Sequence, residues 1–174
     1  MEIIVCPLSR APEIARERKP SHAISLLDPG TAFPTLHGLA SHRHFQLGIH
    51  DVEVELDGHD VCNPHRMRAI LDFVSDWDRA EPMLIHCYAG ISRSTATAYI
   101  TACMHNPDIE ESAIADALRQ ASATASPNRR FIALADAALG RGGRMSAAVE
   151  AIGRGPPWHE IGEASPFALS ARFG

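Results

Sequence analysis

The sequence has no run of 18 apolar residues, so no membrane-spanning helix is expected. It has no excess of positive charge. Sixteen Lys and Arg stand against 21 Asp and Glu, a net charge of -5, which removes the electrostatic footprint of a general nucleic-acid binder. It has no internal repeat. Its four cysteines (Cys6, Cys62, Cys87 and Cys103) lack the paired spacing of a disulfide framework or a zinc site. Reduced thiols in a cytoplasmic protein are the expectation. The opening Met1-Glu2-Ile3-Ile4-Val5-Cys6-Pro7 is short and lacks a basic lead, so no signal peptide is expected. A length of 174 residues suits one domain with a sizeable core.

What is present is concentrated in Leu84-Ile85-His86-Cys87-Tyr88-Ala89-Gly90-Ile91-Ser92-Arg93-Ser94. Met83-Leu84-Ile85 behind Pro82 reads as a short buried strand. From Ser92 onward, Ala96, Tyr99, Ile100 and Cys103 recur at helical spacing. A loop wound onto a helix N-terminus turns backbone N–H groups inward and binds an anion. Gly90 lets the backbone turn where a Cβ could clash. The same field favours a thiolate, and cysteines so placed ionise at roughly pH 3.5–7.5. Cys87 is therefore the candidate nucleophile. Arg93 can grip two phosphate oxygens with its planar fork. Ser94 can donate a hydrogen bond to the sulfur and help it leave. A lone buried cysteine or a lone arginine at a helix start usually has only a structural role. In this order and spacing they point to a phosphate held over a thiolate.

His86-Cys87-x-x-Gly90-x-x-Arg93-Ser94 resembles the HCxxGxxR[ST] signature of the cysteine-dependent protein tyrosine phosphatases. The run Ala89 to Ser94 is most similar to the compact dual-specificity branch. The resemblance extends weakly over about residues 20 to 145, and Pro127-Asn128-Arg129-Arg130 with Leu134-Ala135-Asp136 resembles small bacterial members. It implies hydrolysis of a phosphomonoester through a phosphocysteine, without a metal or other cofactor, on a phosphorylated protein or a small phosphoester. Tyr88, Ala89, Gly90, Ile91, Ser92 and Arg93 would bind the phosphoryl group, and His86 would orient the loop and tune the cysteine. The loop lacks the lysines that inositol-phosphate members carry, which favours phosphotyrosine or dual specificity. Other cysteine-loop enzymes differ. Rhodanese-type sulfurtransferases have a shorter loop without the Ser-Thr helix start, and small arsenate reductases carry their motif at the N-terminus. A non-catalytic phosphate-binding module would not need both Cys87 and Arg93.

The resemblance also implies a general acid on a separate loop, just after a strand and upstream of the cysteine. Asp51, Asp57 and Asp60 qualify by position. Asp51 directly follows Leu47-Gly48-Ile49 and is chosen, with Asp57 next. Asp28, in the turn Asp28-Pro29-Gly30, is given no catalytic role. His37, His42, His44 and His50 are too irregularly spaced for a metal site. Arg129 and Arg130 read as a solvated helix start.

The remaining chain predicts strands over 2–6, 21–27 and 45–49, the last with period-two alternation. It predicts helices over 11–19, 65–79, 109–123, from the Ser126-Pro127-Asn128 cap to 139, and a short one over 144–152. Ser165-Pro166-Phe167-Ala168-Leu169 is expected to fold back as an apolar clip. The fold class is α/β, a three-layer αβα sandwich around a mixed, mostly parallel sheet of four or five strands. The phosphatase domain is expected over 1–145, with 146–174 as a C-terminal extension.

Overall fold

Met83–Cys87 is buried at every position, as a continuous apolar run must be when a parallel strand is covered on both faces. It is the central strand, β4, of a five-stranded sheet. β1 (Glu2–Pro7) and β2 (His22–Leu27) flank it, both nearly fully buried. β3 (His44–Gly48) and β5 (Phe167–Ser170) form the edges, in the order β3-β2-β4-β1-β5. β1 to β4 are parallel, and β5 runs antiparallel to β1. The computed structural model describes residues 1–174.

The segment expected as an apolar clip thus becomes a strand. Four residues of β5 cover the free edge of β1, and its shortness limits the new edge it exposes. In β3 the expected alternation survives as a choice of faces. Phe45 and Leu47 pack on the main core, while an edge position leaves the strand only half-buried.

One face of the sheet carries the main core. It is covered by α2 (Pro64–Ser75), α3 (Arg93–His105), α4 (Glu111–Ala121), α5 (Arg129–Ala138) and α6 (Arg144–Ile152). The other face carries a smaller cluster (Ile4, Cys6, Ala23 and Leu84) beneath Ile14 and Ala15 of α1 (Ala11–Arg18). A last short helix, α7, spans Trp158–Ile161.

α2 buries Met67, Ile70, Leu71 and Val74 at spacings of three and four. The Asn63 side chain accepts the Arg66 N–H, and Pro64 fills the first turn. The helix ends at Ser75, four residues earlier than expected. The Ser75 hydroxyl turns back to the Asp72 carbonyl, and Arg79 adopts a left-handed φ of 59°. Trp77 stays buried beyond the helix, its indole N–H donating to the Glu81 carbonyl. α3 is buried almost all round. Its Thr95, Thr97 and Thr101 hydroxyls each return a hydrogen bond to the carbonyl four residues back, so small polar residues fill the centre of the layer without unpaired groups.

Candidate active site

The four parallel strands end on one side of the sheet, where ligands of open α/β sheets bind. Cys87 ends β4, Asp28 follows β2, and Ile49 to Asp51 follow β3. Pro7 ends β1 beneath the loop from Cys87 to α3. Gly90 has φ 73°, and a Cβ there would lie 2.9 Å from backbone atoms of Cys6 and Pro7. Both the turn and the close approach exclude a side chain.

The loop's carbonyls are taken from outside. Tyr88 accepts from the Leu8 amide, Ala89 from Ala164, Ile91 from Ser126, and Ser92 from Asn128. None of the amides from Tyr88 to Ser92 donates to another backbone carbonyl. With its carbonyls turned outward, the loop keeps consecutive N–H groups for an anion. Cys87 is 2 % exposed at its base. Its Sγ lies 3.1 Å from Ser94 Oγ. Ile91 is buried, whereas the Tyr88 side chain stands in solvent.

Arg93 is buried and held on one side only. Its Nη1 donates to Asp28 Oδ1 at 2.7 Å and to the Ile49 carbonyl at 2.6 Å. Nε is the one buried side-chain polar atom without a hydrogen-bond partner. The anchored Nη1 thus leaves the Nε edge of the fork for an incoming anion. Asp28, read as a plain turn residue, is the fork's anchor. Its place at the C-terminal end of a strand next to β4 is the signal that could have found it.

Of the three candidate aspartates, Asp51 reaches the site. Its Oδ1 accepts from Ser92 Oγ at 2.7 Å and from Asn128 Nδ2 at 2.8 Å. Its Oδ2 lies 4.0 Å from Arg93 Nε. Asp60 is paired with Arg66, and Asp57 is exposed. Asn128 caps α5 by accepting the Arg130 and Phe131 amides, so its side-chain amide is used at both ends. The next acidic residues continue the pattern. Glu53 accepts the Arg129 amide and pairs with Arg154, and Glu55 pairs with Arg130. Arg130 also donates to the Cys62 carbonyl, so it is no free helix-start charge.

His86 is fully buried beside Cys87. Burial, outweighing its contact with the Cys87 carbonyl, lowers it to about 4 and leaves it neutral near pH 7. Burial also pushes the Cys6 and Cys103 thiols up to about 12 and Cys62 to about 11, so none of the three competes as a thiolate. No group of three or more His, Cys, Asp or Glu is arranged to hold a metal ion.

Residues 57–125 match the family model of protein-tyrosine phosphatase. No curated protein matches the chain in sequence. Among solved structures, DUSP15 is similar at 18% identity, over 84% of this chain and 89% of that one, with a TM-score of 0.59. The human tyrosine phosphatase-like serine/threonine/tyrosine-interacting protein is similar at 19% identity, over 79% and 90%, with a TM-score of 0.58. The PTP-2 phosphatase of Cydia pomonella is similar at 17% identity, over 76% and 83%, also with a TM-score of 0.58. At these identities the likeness to the solved structures is one of fold, whereas the family match contains the whole cysteine-to-arginine loop. The segment that carries this loop thus resembles the protein-tyrosine phosphatase family, and the chain as a whole shares the fold of these phosphatase structures.

Proposed function

We propose that the protein hydrolyses phosphomonoesters through a phosphocysteine, with Cys87 as nucleophile, Arg93 and the loop amides as phosphoryl ligands and Asp51 as general acid. The observation that carries this is the Cys87–Ser94 contact of 3.1 Å at the base of a loop whose amides from Tyr88 to Ser92 have no backbone acceptor. The Cys87 thiolate attacks phosphorus and the P–O bond to the leaving group breaks. Arg93 and the loop N–H groups carry the charge on the equatorial oxygens.

Asp51 gives its proton to the departing oxygen. Oδ1 already accepts two hydrogen bonds, so the proton belongs on Oδ2, the oxygen nearer Arg93. In the second step Asp51 takes a proton from water as the water oxygen attacks phosphorus. The S–P bond breaks, Ser94 donates to the departing sulfur, and inorganic phosphate leaves.

The substrate class is phosphotyrosine in proteins or, with dual specificity, phosphoserine and phosphothreonine as well. The absence of lysine from the loop supports this over inositol phosphates. No nucleic-acid partner is invoked. No helix is long and apolar enough to cross a membrane, and four unpaired thiols support a reducing, cytoplasmic setting.

Cys87→Ser should abolish turnover of a phosphoaryl ester while still binding vanadate, because the amides and Arg93 remain. Arg93→Lys should be severely impaired, since a point charge cannot replace the fork. Activity should survive a chelator. An active Cys87→Ser enzyme, or thiosulfate sulfurtransfer in place of phosphatase turnover, overturns the proposal.

A further inference from the structure

A row of polar side chains crosses the sheet on the face opposite the Cys87 side chain. His86 of β4 pairs in register with Ser25 of β2, and Ser25 with Gln46 of β3. Residues two apart on a strand share a face, so His44 joins the row. Ser25 Oγ lies 2.6 Å from His86 Nε2 and 2.7 Å from His44 Nε2. His44 Nδ1 lies 3.2 Å from Gln46 Nε2. Ser25 and His86 are fully buried, and His44 is half-buried at the sheet edge. The neighbouring cluster on this face (Ile4, Cys6, Ala23 and Leu84) is apolar. A hydroxyl and two imidazoles there must satisfy one another.

One contact sets the direction of the whole row. His86 Nδ1 faces the Cys87 carbonyl at 3.4 Å, and a carbonyl only accepts. Nδ1 therefore carries the hydrogen, and the Nε2 of a neutral ring accepts. Ser25 must then donate to His86, and its lone pairs accept from His44 Nε2–H. A neutral His44 accepts at Nδ1 from the Gln46 amide. Every donor in the row points toward the nucleophile's strand. An imidazole that accepts at Nε2 is a stronger donor at Nδ1, and it draws electron density from the Cys87 peptide.

We propose that Ser25 and His44 are positioning residues of this enzyme. They hold His86 in the tautomer that donates to the Cys87 carbonyl, and so favour the anionic sulfur. The inference rests on Cys87 being the nucleophile. The titratable and charged groups around His86 are His44 from β3, Arg93 from α3, Cys87 itself and Cys6 from β1, with Arg10 beyond Cys6 at the start of α1. Arg93 is always cationic, and Cys6 stays protonated. The row is therefore the part of this environment that a neutral substitution can change.

The test is the pH dependence of Cys87 alkylation by iodoacetamide, read beside the acidic limb of kcat/KM. Ser25→Ala should move both toward higher pH by about one unit, the scale of one lost buried hydrogen bond. Ser25→Thr, which keeps the hydroxyl, should restore them. His44→Leu should move them the same way by less. The double variant Ser25→Ala/His44→Leu should move them no further than Ser25→Ala, because the row is already broken at Ser25.

If Ser25→Ala does not fold, His44→Leu at the half-exposed edge and Ser25→Thr carry the test. Profiles of His44→Leu that coincide with the wild type overturn the proposal. So do additive shifts in the double variant, or variants that change only the melting temperature. These outcomes are separate from failure of the phosphatase reading, which would appear as turnover in Cys87→Ser.

Discussion

Asp51 shows how one side chain acquires two chemically distinct oxygens. Ser92 and Asn128 occupy Oδ1, and Oδ2 is left facing Arg93. A carboxyl so held can present its proton in one direction only. Asp51→Asn should therefore slow hydrolysis of phenyl phosphate by roughly 10²–10⁴-fold, the range of lost acid catalysis. It should slow p-nitrophenyl phosphate much less, because that leaving group departs as an anion. The basic limb of the pH–rate profile should vanish with it. Steady-state kinetics on the two esters decides the matter, and the same pattern in Asp57→Asn or Asp60→Asn instead would move the assignment.

At the scale of elements, the acidic loop is fastened to α5 at every second residue. Asp51, Glu53 and Glu55 meet the Asn128 side chain, the Arg129 amide and the Arg130 guanidinium in order. Arg154, beyond α6, grips Glu53 from the other side at 2.6 Å. Ala164 reaches the loop between β4 and α3 through its amide on Ala89. The stretch from Arg154 to Ala164 thus spans from the acidic loop after β3 to the loop after β4. The Glu53–Arg154 pair is half-exposed, so its worth is at most about 1 kcal/mol, or about fivefold in rate. Arg154→Gln should cost up to about that factor on phenyl phosphate and nothing on p-nitrophenyl phosphate. In the wild type, high salt should reproduce the loss. A variant equally slow on both esters would locate the effect elsewhere.

For the whole molecule, acid is the vulnerable direction. His86 is buried neutral and lowered to about 4 by desolvation. The unfolded chain binds its proton near 6.5, so stability is complete above that pH and falls as pH drops from 6.5 to about 4. The loss is on the order of 3 kcal/mol. Glu111 adds to it at lower pH. Burial pushes its carboxyl up, but Arg144 and Arg141 outweigh burial and hold it below its ordinary value. That contribution is present above pH 4.5 and lost as pH falls further. Urea unfolding at pH 7, 5 and 4 should show the midpoint falling steeply over this window. Replacing Glu111 with alanine should lower the urea midpoint at pH 7, because the buried Arg141 loses its carboxylate, whereas the exposed Arg144 can turn to solvent.

What lies in one continuous stretch could be read from the residues directly. Cys87, Gly90, Arg93 and Ser94 are neighbours in the chain, and a strand–loop–helix with those residue types is suited to holding a phosphate over a thiolate. The buried stripe of α2 follows in the same way from spacings of three and four. Asp51 was singled out through the resemblance, which asks for an acid shortly after a strand, and β3 ends at Gly48, three residues before it. Contacts between distant segments follow instead from how the strands and helices pack. Asp28 meets Arg93 across 65 residues, Asn128 meets Asp51 across 77, and Glu53 meets Arg154 across 101. Ser25 meets His86 across 61 through the sheet register. Nothing in the local pattern of a turn aspartate, a helix-capping asparagine or a strand serine marks its partner. That choice is made by which strands lie side by side, and strand order comes from burying the whole sheet rather than any one segment of it.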